Sequence, residues 1–255
     1  MLQFKRARPA RPRLARGQRV YAIGDVHGRY DLMKALIEEI KRHWSNGAQD
    51  GVRTTLIFLG DVIDRGEQSQ QCLDLLSRLW GSSGVIFLRG NHEDMMIESA
   101  AGNPAAQAAW LANGGDATLA SFGIDPPRPG EDSIDFAERL TAGVPEEIWR
   151  MLHGTVHSWR SGDYLFVHAG VEPGVPLDRQ KDRTLLSIRE KFTRSNLWHG
   201  AVVVHGHSIV DRVEIHSNRV ACDTGAYRTG VLSCICIEND VITPLHVWSG
   251  YGRRS

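Results

Sequence analysis

Five apolar segments, each ending in a short polar turn, constrain the fold of this chain more than any other feature. They are RVYAI before GDVHG, TTLIFL before GDVIDRG, GVIFLR before GNHE, DYLFVH before AG, and AVVVHGH, which ends in histidines. Their apolar residues are β-branched or aromatic and nearly continuous, which is typical of strands covered on both faces. The pattern predicts a buried sheet whose polar groups collect at the carboxyl ends of its strands.

Helical segments separate the early strands. Leu32, Leu36 and Ile40 recur on one face of DLMKALIEEIKRHW, and SQQCLDLLSRLW repeats this pattern. Strand–helix alternation over about residues 19–100 predicts a parallel α/β layer. The stretch of about 102–160 is first Ala-rich and then Pro-rich and helical. We expect it to form a helical insert over the sheet edge that carries the polar turns. The C-terminal RVACDTGAYRTGVLSCICIENDVITPLHVW predicts further strands, in a second sheet that is mixed or antiparallel.

The charge of the chain is unevenly distributed. Its formal net charge is zero, which excludes electrostatic binding of nucleic acid by the protein as a whole. Seven basic residues and no acidic one nevertheless lie between Lys5 and Arg19. Residues 1–18 hold too few apolar side chains to offset their ordering entropy, which predicts a disordered basic leader before a domain over 19–255. The leader is interpreted as a solvated tail, or else as a contact for an acidic partner, nucleic acid or anionic lipid.

The cysteines and the apolar segments bear on the compartment. None of the four cysteines forms a CxxC pair, so a zinc–thiolate site is not expected (Cys72, Cys222, Cys234 and Cys236). The leader lacks the apolar core of a secretory signal, and no segment has the apolar length of a membrane span. Buried free thiols and a cytoplasmic location are the expectation.

Carboxylate, amide and imidazole groups follow all five apolar segments. In chain order they are Asp25, His27, Asp61, Asn91, His92, His168, His205 and His207. Carboxylates clustered at one sheet edge would repel one another, whereas divalent cations between them turn the repulsion into binding. Oxygen and imidazole ligands without thiolate suit manganese, iron or zinc. Two such ions about 3.5–4 Å apart can activate a bridging water for hydrolysis of a phosphate ester.

The motifs GDVHG, GDVIDRG, GNHE, HAG and GHS together resemble the metal-dependent phosphoprotein phosphatases of the calcineurin-like metallophosphoesterase superfamily. The similarity is closer to their bacterial, bacteriophage-lambda-phosphatase-like branch and spans about residues 19–238. It implies a four-layer α-β-β-α sandwich, in which helices flank two mixed sheets. It also implies a phosphomonoesterase with two divalent ions, Mn²⁺ before Fe or Zn. Its metal-bridging hydroxide would attack phosphoserine or phosphothreonine of proteins, with phosphotyrosine as a further substrate.

The resemblance also assigns roles to individual residues. Asp25 and His27 would bind the first metal, Asp61 would bridge both metals, and Asn91, His168 and His207 would complete the second. His207 is preferred as the last ligand because it occupies the GH position of the family motif, while His205 is a supporting or pocket candidate. Asp223 resembles a supporting position near the metals, or simply begins a turn.

Other roles implied by the resemblance concern phosphate and the leaving group. His92 would be the general acid, and Asp64 would accept its ring N–H. Arg65 would bind phosphate oxygens through its planar fork, and Arg189 in LLSIREKF is a candidate second phosphate arginine. A segment of the insert also resembles the bacterial branch and either shapes the substrate rim or packs the insert (Trp110, Asn113 and Gly114).

Three alternative functions stay open at this point. Diadenosine tetraphosphatases share the first motif, but they typically carry Ala at the place of Asp64 and Asp at the place of Glu93. A phosphodiesterase or nuclease could use the same metal pair. A metal-binding scaffold without activity would lack a ligand or the general acid, and this chain lacks none of them. The full motifs favour a phosphomonoesterase.

Overall fold

A computed structural model describes residues 8–47 and 51–250, which form ten strands and ten α-helices. The strands are β1 (Gln18–Ile23), β2 (Arg53–Phe58), β3 (Val85–Phe87), β4 (Ser158–Ser161), β5 (Tyr164–Val167), β6 (Val202–His205), β7 (Glu214–Ile215), β8 (Arg219–Ala221), β9 (Val231–Glu238) and β10 (Val241–Trp248). The helices are α1 (Tyr30–Asn46), α2 (Ser69–Leu79), α3 (Asn91–Ala100), α4 (Pro104–Trp110), α5 (Asp116–Ser121), α6 (Ser133–Gly143), α7 (Glu146–His153), α8 (Asp182–Ser187), α9 (Glu190–Thr193) and α10 (Ala226–Thr229). A π-helical turn joins α4 to α5 (Leu111–Gly115), and a 3-10 turn precedes α8 (Leu177–Arg179).

The first sheet has the strand order β10-β9-β1-β2-β3. Strands β1, β2 and β3 are parallel, so the predicted parallel layer is confirmed. The placement of β9 and β10 in a second sheet was wrong, because β9 pairs antiparallel with β1 from Arg19↔Glu238 to Ile23↔Cys234. Strand β9 is buried along six of its eight residues, and it pairs the backbone N–H and C=O groups that β1 would otherwise leave unpaired at this edge.

The second sheet has the order β4-β5-β6-β8-β7. Its central strands β5, β6 and β8 are parallel, and its edge strands β4 and β7 are antiparallel to their neighbours. Both sheets are therefore mixed, as the resemblance implies.

Alternation along the strands creates the layers. On β1, Val20 packs between the sheets and Tyr21 packs towards the helices that cover the first sheet. On β6, Val204 packs between the sheets, while Val203 packs outward with Phe192 of α9. Successive side chains of a strand point to opposite faces, so each sheet is buried on both sides. The predicted four-layer α-β-β-α sandwich is confirmed.

Helices α4 to α7 lie within the predicted insert range and pack against α2 and α3. The range ends differently from the prediction, because residues 158–160 belong to strand β4 rather than to the insert. Trp159 of β4 packs on Phe166 of β5, with ring centroids 5.5 Å apart. The π-helical turn lies beside the polar turn after β2, because a Cβ at Gly114 would lie 2.8 Å from Cγ of Arg65.

Residues 8–17 differ from the predicted disordered leader. Leu14 is buried between the sheets, and its backbone N–H donates to the carbonyl of Asn239 at 3.3 Å. The backbone N–H of Arg13 donates to the Asp163 carboxylate at 3.0 Å, and the Asp163 N–H donates to the Arg13 carbonyl at 2.8 Å. One apolar anchor and these backbone bonds order a segment whose composition alone predicts disorder. Residues 1–7 of the predicted leader lie outside the described residues.

All four cysteines are free and buried, as predicted. Among the described residues, no helix combines the length and the apolar character needed to cross a membrane.

Candidate active site

The turns after β1 and β2 are tied together by backbone hydrogen bonds. The N–H groups of Val26 and His27 both donate to the carbonyl of Asp61, each at 3.0 Å. Gly28 has a φ of +62°, and a Cβ there would lie 2.4 Å from the carbonyl oxygen of Gly66. Only glycine fits this close approach. The motif glycines therefore let the two strand-end turns touch.

Glu93 ties the third strand end to the same place. Its Oε2 accepts from the backbone N–H groups of Gly90 and Asp61, each at 2.9 Å. Its Oε1 accepts from the N–H of Val62 at 2.8 Å. This role of Glu93 was not predicted from the sequence. The available signal was its position three residues after Gly90, which is the capping-box position of α3.

Three imidazoles surround the Asp61 carboxylate. Its Oδ2 lies 3.3 Å from Nε2 of His168, 3.7 Å from Nε2 of His27 and 3.8 Å from Nε2 of His92. All four side chains are buried. His27 and His92 come from the first sheet and His168 comes from the second, so Asp61 stands where the two sheets meet.

Backbone carbonyls set the tautomers of two of these histidines. Nδ1 of His27 donates to the carbonyl of Ile63, and Nδ1 of His168 donates to the carbonyl of Leu59, each at 2.8 Å. A carbonyl oxygen only accepts, so Nδ1 carries the proton and the Nε2 lone pair faces the site. This arrangement is typical of histidines that bind metal. Burial also lowers the pKa of His27 to about 3, which favours the neutral, metal-binding form.

Two groups of side chains have ligand atoms that all lie within 4.8 Å of one another, and Asp61 belongs to both. One group holds His27, Asp61 and His92, and the other holds Asp61, His168 and His207. Nε2 of His168 is 3.2 Å from Nδ1 of His207 and 3.1 Å from Oδ1 of Asn91. The geometry therefore brings together the side chains assigned to the second metal.

Asp25 adds a second buried carboxylate, beside the backbone of His207. It accepts from the backbone N–H of His207, with distances of 3.0 and 3.2 Å to its two oxygens. Burial and the charges of Asp223 and Asp61 raise the pKa of Asp25 well above its usual value. Three buried carboxylates repel one another at this edge, and divalent cations would offset that repulsion. The donor set of carboxylate, amide and imidazole fits a pair of such ions.

The backbone of this site is unusual. Six non-glycine residues have positive φ in the described part of the chain, and five of them are predicted site residues. These are His27 (46°), Asp61 (50°), Asp64 (72°), Arg65 (68°) and His207 (61°). Left-handed backbone disfavours side chains other than glycine and collects at functional sites. Local propensity would not choose these angles, so the surrounding packing imposes them.

The predicted contact between His92 and Asp64 is present. Nδ1 of His92 lies 2.6 Å from Oδ2 of Asp64, and both side chains are buried. The Asp64 carboxylate also accepts from the indole N–H of Trp110 at 2.9 and 3.0 Å, and from the hydroxyl of Thr118 at 2.6 Å. Trp110 is fully buried, so it does not form a substrate rim. Sequence reasoning missed Thr118, which carries no motif of its own.

Arg65 lies at the partly exposed mouth of the site. Its Nη1 is 3.0 Å from Nε2 of His27, and its Nη2 is 3.1 Å from Nε2 of His92. The guanidinium carbon lies 4.8 Å from the centre of the Tyr227 ring, in cation–π geometry. Tyr227 was also missed, and its only signal was an aromatic residue shortly after Asp223. The insert also contacts Arg65 through its backbone, because the carbonyl of Gly114 accepts from the Arg65 N–H at 3.1 Å.

The model of the calcineurin-like phosphoesterases matches residues 18–236, which is most of the chain. The chain belongs to this family. It is therefore a metallophosphoesterase, a hydrolase of phosphate esters.

Relatives of this phosphoesterase carry two kinds of name. Serine/threonine-protein phosphatase 2 of Escherichia coli is 27% identical over 84% of this chain and 90% of the relative. The asymmetrical bis(5'-nucleosyl)-tetraphosphatase PrpE of Bacillus velezensis is 26% identical over 80% of this chain and 82% of the relative. Serine/threonine-protein phosphatase 1 of Salmonella typhimurium is 34% identical, but over only 38% of this chain and 39% of the relative.

A solved structure supports the fold of the phosphoesterase. A protein provisionally named a diadenosine tetraphosphatase matches 94% of this chain and 100% of its own, with a TM-score of 0.61 and 18% identity. At this identity the similarity concerns the fold alone.

Three further predicted residues of the phosphoesterase stand outside the two groups that share Asp61. His205 faces away from the sheet interface, with its ring 5.1 Å from that of Phe192. Arg189 is exposed before α9, and its charge adds to burial and His168 in lowering the pKa of His207 to about 3. Asp223 begins a turn, where it accepts from Gly225 N–H at 2.8 Å. Burial and the charge of Asp61 raise the pKa of Asp223 to about 6.

Proposed function

We propose that this phosphoesterase is a dinuclear-metal phosphomonoesterase that removes phosphate from serine and threonine side chains of proteins. The observation that carries the proposal is the buried His92–Asp64 pair, at 2.6 Å, with Nε2 of His92 facing the Asp61 carboxylate. A serine or threonine alkoxide is a poor leaving group and must be protonated as it departs. A nucleotide phosphate leaves without that help. An oriented general acid therefore supports an alkyl phosphate as substrate, and phosphotyrosine is a further candidate.

The residues that would hold the metals are those around Asp61. Asp25 and His27 would bind one ion, Asn91, His168 and His207 the other, and Asp61 both. A bound pair of divalent ions supplies an activated water and neutralises charge on the phosphate. Mn²⁺ suits this ligand set, as do Fe and Zn. The four free thiols support a reducing, cytoplasmic location.

The other side chains would bind the phosphate and move the proton. Arg65 would bind two phosphate oxygens through its planar fork, while the ring of Tyr227 holds the plane of the guanidinium. Arg189 would add positive charge at the exposed side. His92 would donate the Nε2 proton to the departing oxygen. Asp64 keeps Nδ1 of His92 protonated and fixes the ring, so Nε2 stays directed at the reacting group.

A leaving-group comparison tests this proposal. kcat/KM would be measured with Mn²⁺ for a phosphoserine peptide and for para-nitrophenyl phosphate, in the wild type and in His92→Asn. General acids contribute roughly 10²- to 10⁴-fold, so the peptide reaction should slow by at least about 100-fold. Para-nitrophenolate leaves without a proton, and its reaction should slow far less. Equal slowing of both reactions would remove His92 from the acid role.

Hydrolysis of bis(5'-nucleosyl) tetraphosphates is the second candidate. It is favoured by the PrpE relatives, which align with this chain over at least 80% of its length. Turnover of diadenosine tetraphosphate and of the phosphoserine peptide by one preparation would separate the two functions. A larger kcat/KM for the dinucleotide would replace the phosphoprotein assignment. Bis-para-nitrophenyl phosphate, included in the same series, would reveal phosphodiesterase activity.

A further inference from the structure

We infer that the helical insert positions the general acid, with Trp110 and Thr118 holding Asp64 in the orientation that directs His92. The inference rests on the proposed function, because it concerns how efficiently His92 protonates a poor leaving group. Trp110 and Thr118 are positioning residues, since both act through Asp64.

The hydrogen bonds of Asp64 form a complete set. The carboxylate is fully buried, so each of its oxygens requires a donor from the protein. Oδ1 accepts from the Thr118 hydroxyl at 2.6 Å and from the Trp110 indole at 3.0 Å. Oδ2 accepts from the same indole at 2.9 Å and from Nδ1 of His92 at 2.6 Å. Two rigidly held donors thus fix the carboxylate plane, and the fixed plane sets the ring of His92.

The chemical nature of these donors matters. An indole N–H and a hydroxyl stabilise an anion by hydrogen bonding and add no charge. A lysine or arginine at either place would compete with His92 for Asp64 and oppose the imidazolium form of His92. Trp110 also adds rigidity, because its ring is fully buried and has only two side-chain torsions.

The π-helical turn brings both donors to the site. Trp110 ends α4, and a Cβ at Gly115 would lie 2.7 Å from its indole, so the turn closes directly on the ring. Thr118 lies in α5, beyond the turn, and its hydroxyl oxygen also lies 3.0 Å from the backbone nitrogen of Asp64. The insert therefore holds both the side chain and the backbone of Asp64, which has a strained φ of 72°.

Conservative variants test the inference against a matched control. Trp110→Phe removes the indole N–H, and Thr118→Val removes the hydroxyl at similar volume. Trp149→Phe is the control, because Trp149 is a buried tryptophan of the same insert whose indole donates to the carbonyl of Thr141 at 3.2 Å. Thr118→Ser retains the hydroxyl and should restore most of what Thr118→Val loses. Thr118→Val supplies the same test if Trp110→Phe does not fold.

The expected result is selective. Loss of a hydrogen bond that supports a metal-ligating histidine typically costs about 10- to 100-fold, and we expect the lower end of that range for the support of His92. Trp110→Phe and Thr118→Val should lower kcat/KM for the phosphoserine peptide by about tenfold. By the same reasoning the value for para-nitrophenyl phosphate should change less than about twofold. Trp149→Phe should leave both values near those of the wild type, although it destabilises the fold. Equal slowing of both substrates by Trp110→Phe would indicate a structural role only and overturn the inference.

A double-mutant cycle completes the test. If Trp110 acts through His92, adding Trp110→Phe to His92→Asn should cause no further loss with the peptide. Additive losses would overturn the inference. A selective effect of His92→Asn alone would then leave the proposed function intact. An unselective effect of His92→Asn would instead overturn both the acid role of His92 and this inference.

Discussion

Asp61 and Asp64 lie three residues apart after β2, yet different parts of the chain surround them. The Asp61 region consists of histidines and carboxylates from the strand ends of both sheets. The Asp64 region consists of the helical insert together with His92. Burial acts to raise the pKa of both carboxyls. At Asp61 the nearby imidazoles of His168 and His92 outweigh burial, and the pKa lies well below its usual value. Around Asp64 burial outweighs the hydrogen bonds, and its pKa is raised.

This difference shows how one turn can serve two purposes. The Asp61 region concentrates negative charge and imidazole lone pairs, an arrangement that divalent cations stabilise. The Asp64 region satisfies its carboxylate with N–H and O–H donors, an arrangement that needs no cation. Removal of metal should therefore affect the first region strongly and leave the second largely unchanged.

The largest effect is expected from Asp61→Asn, which removes a negative charge from the position proposed to bind both metal ions. kcat should fall by more than about 100-fold, the upper end of the range for residues that only support a ligand. Elemental analysis of the purified protein should show less bound metal. Asp64→Asn is the matched control and should retain its metal while losing activity on the phosphoserine peptide. Equal metal loss in both variants would contradict the separation of the two regions.

Arg65→Ala should have the next largest effect, because it removes the guanidinium proposed to bind the phosphate oxygens. Loss of one preorganised donor to a transition state costs about 10²- to 10³-fold, so we expect kcat/KM to fall by about 100-fold. Steady-state kinetics with para-nitrophenyl phosphate measures this change. Arg189→Ala should cost less, since Arg189 is exposed. Unchanged kcat/KM in Arg65→Ala would remove Arg65 from the site.

Glu93→Gln should weaken metal binding without removing a ligand. The Glu93 carboxylate accepts from four backbone N–H groups, whereas a glutamine has one acceptor oxygen and presents an N–H₂ group to the remaining donors. The apparent Mn²⁺ affinity should fall roughly 10- to 100-fold, measured by titrating activity with Mn²⁺. The control is Glu98→Gln, an exposed position of α3. If Glu93→Gln and Glu98→Gln need the same Mn²⁺ concentration for activity, Glu93 does not support metal binding.

The smallest effect is expected from Gly114→Ala, which tests the contact between the insert and Arg65. Gly114 has a φ of +101°, and a Cβ there would lie 2.8 Å from Cγ of Arg65. We expect KM for para-nitrophenyl phosphate to rise severalfold, with a loss of about 1–3 kcal/mol in the free energy of unfolding. Gly123→Ala is the control, because its φ is +68° and nothing lies near its Cβ. That variant should lose stability but keep its KM.

Much of the fold could be predicted because periodicity reports burial directly. Strands β1, β2, β5 and β6 are continuous apolar runs, and each forms an interior strand. The same periodicity does not indicate which strand a given strand pairs with. Nothing in VLSCICIE distinguishes pairing with β1 from pairing within the second sheet, so the sheet of β9 and β10 was predicted wrongly. The ordering of residues 8–17 was missed for a similar reason. It depends on the burial of one leucine and on a few backbone hydrogen bonds to residues that are distant in sequence.

The sequence by itself determined which chemical groups stand at the strand ends, because a carboxylate or imidazole just after a buried strand has little freedom in where it lies. Only the tertiary structure decided what surrounds each group. Trp110 and Thr118 reach Asp64 across 46 and 54 residues of chain, and Tyr227 reaches Arg65 from the far end of the domain. The first two partners follow from how the insert packs against α2 and α3, and Tyr227 follows from the position of α10 just before β9. No local pattern encodes them, since hydrogen-bond partners in space need no fixed spacing in sequence.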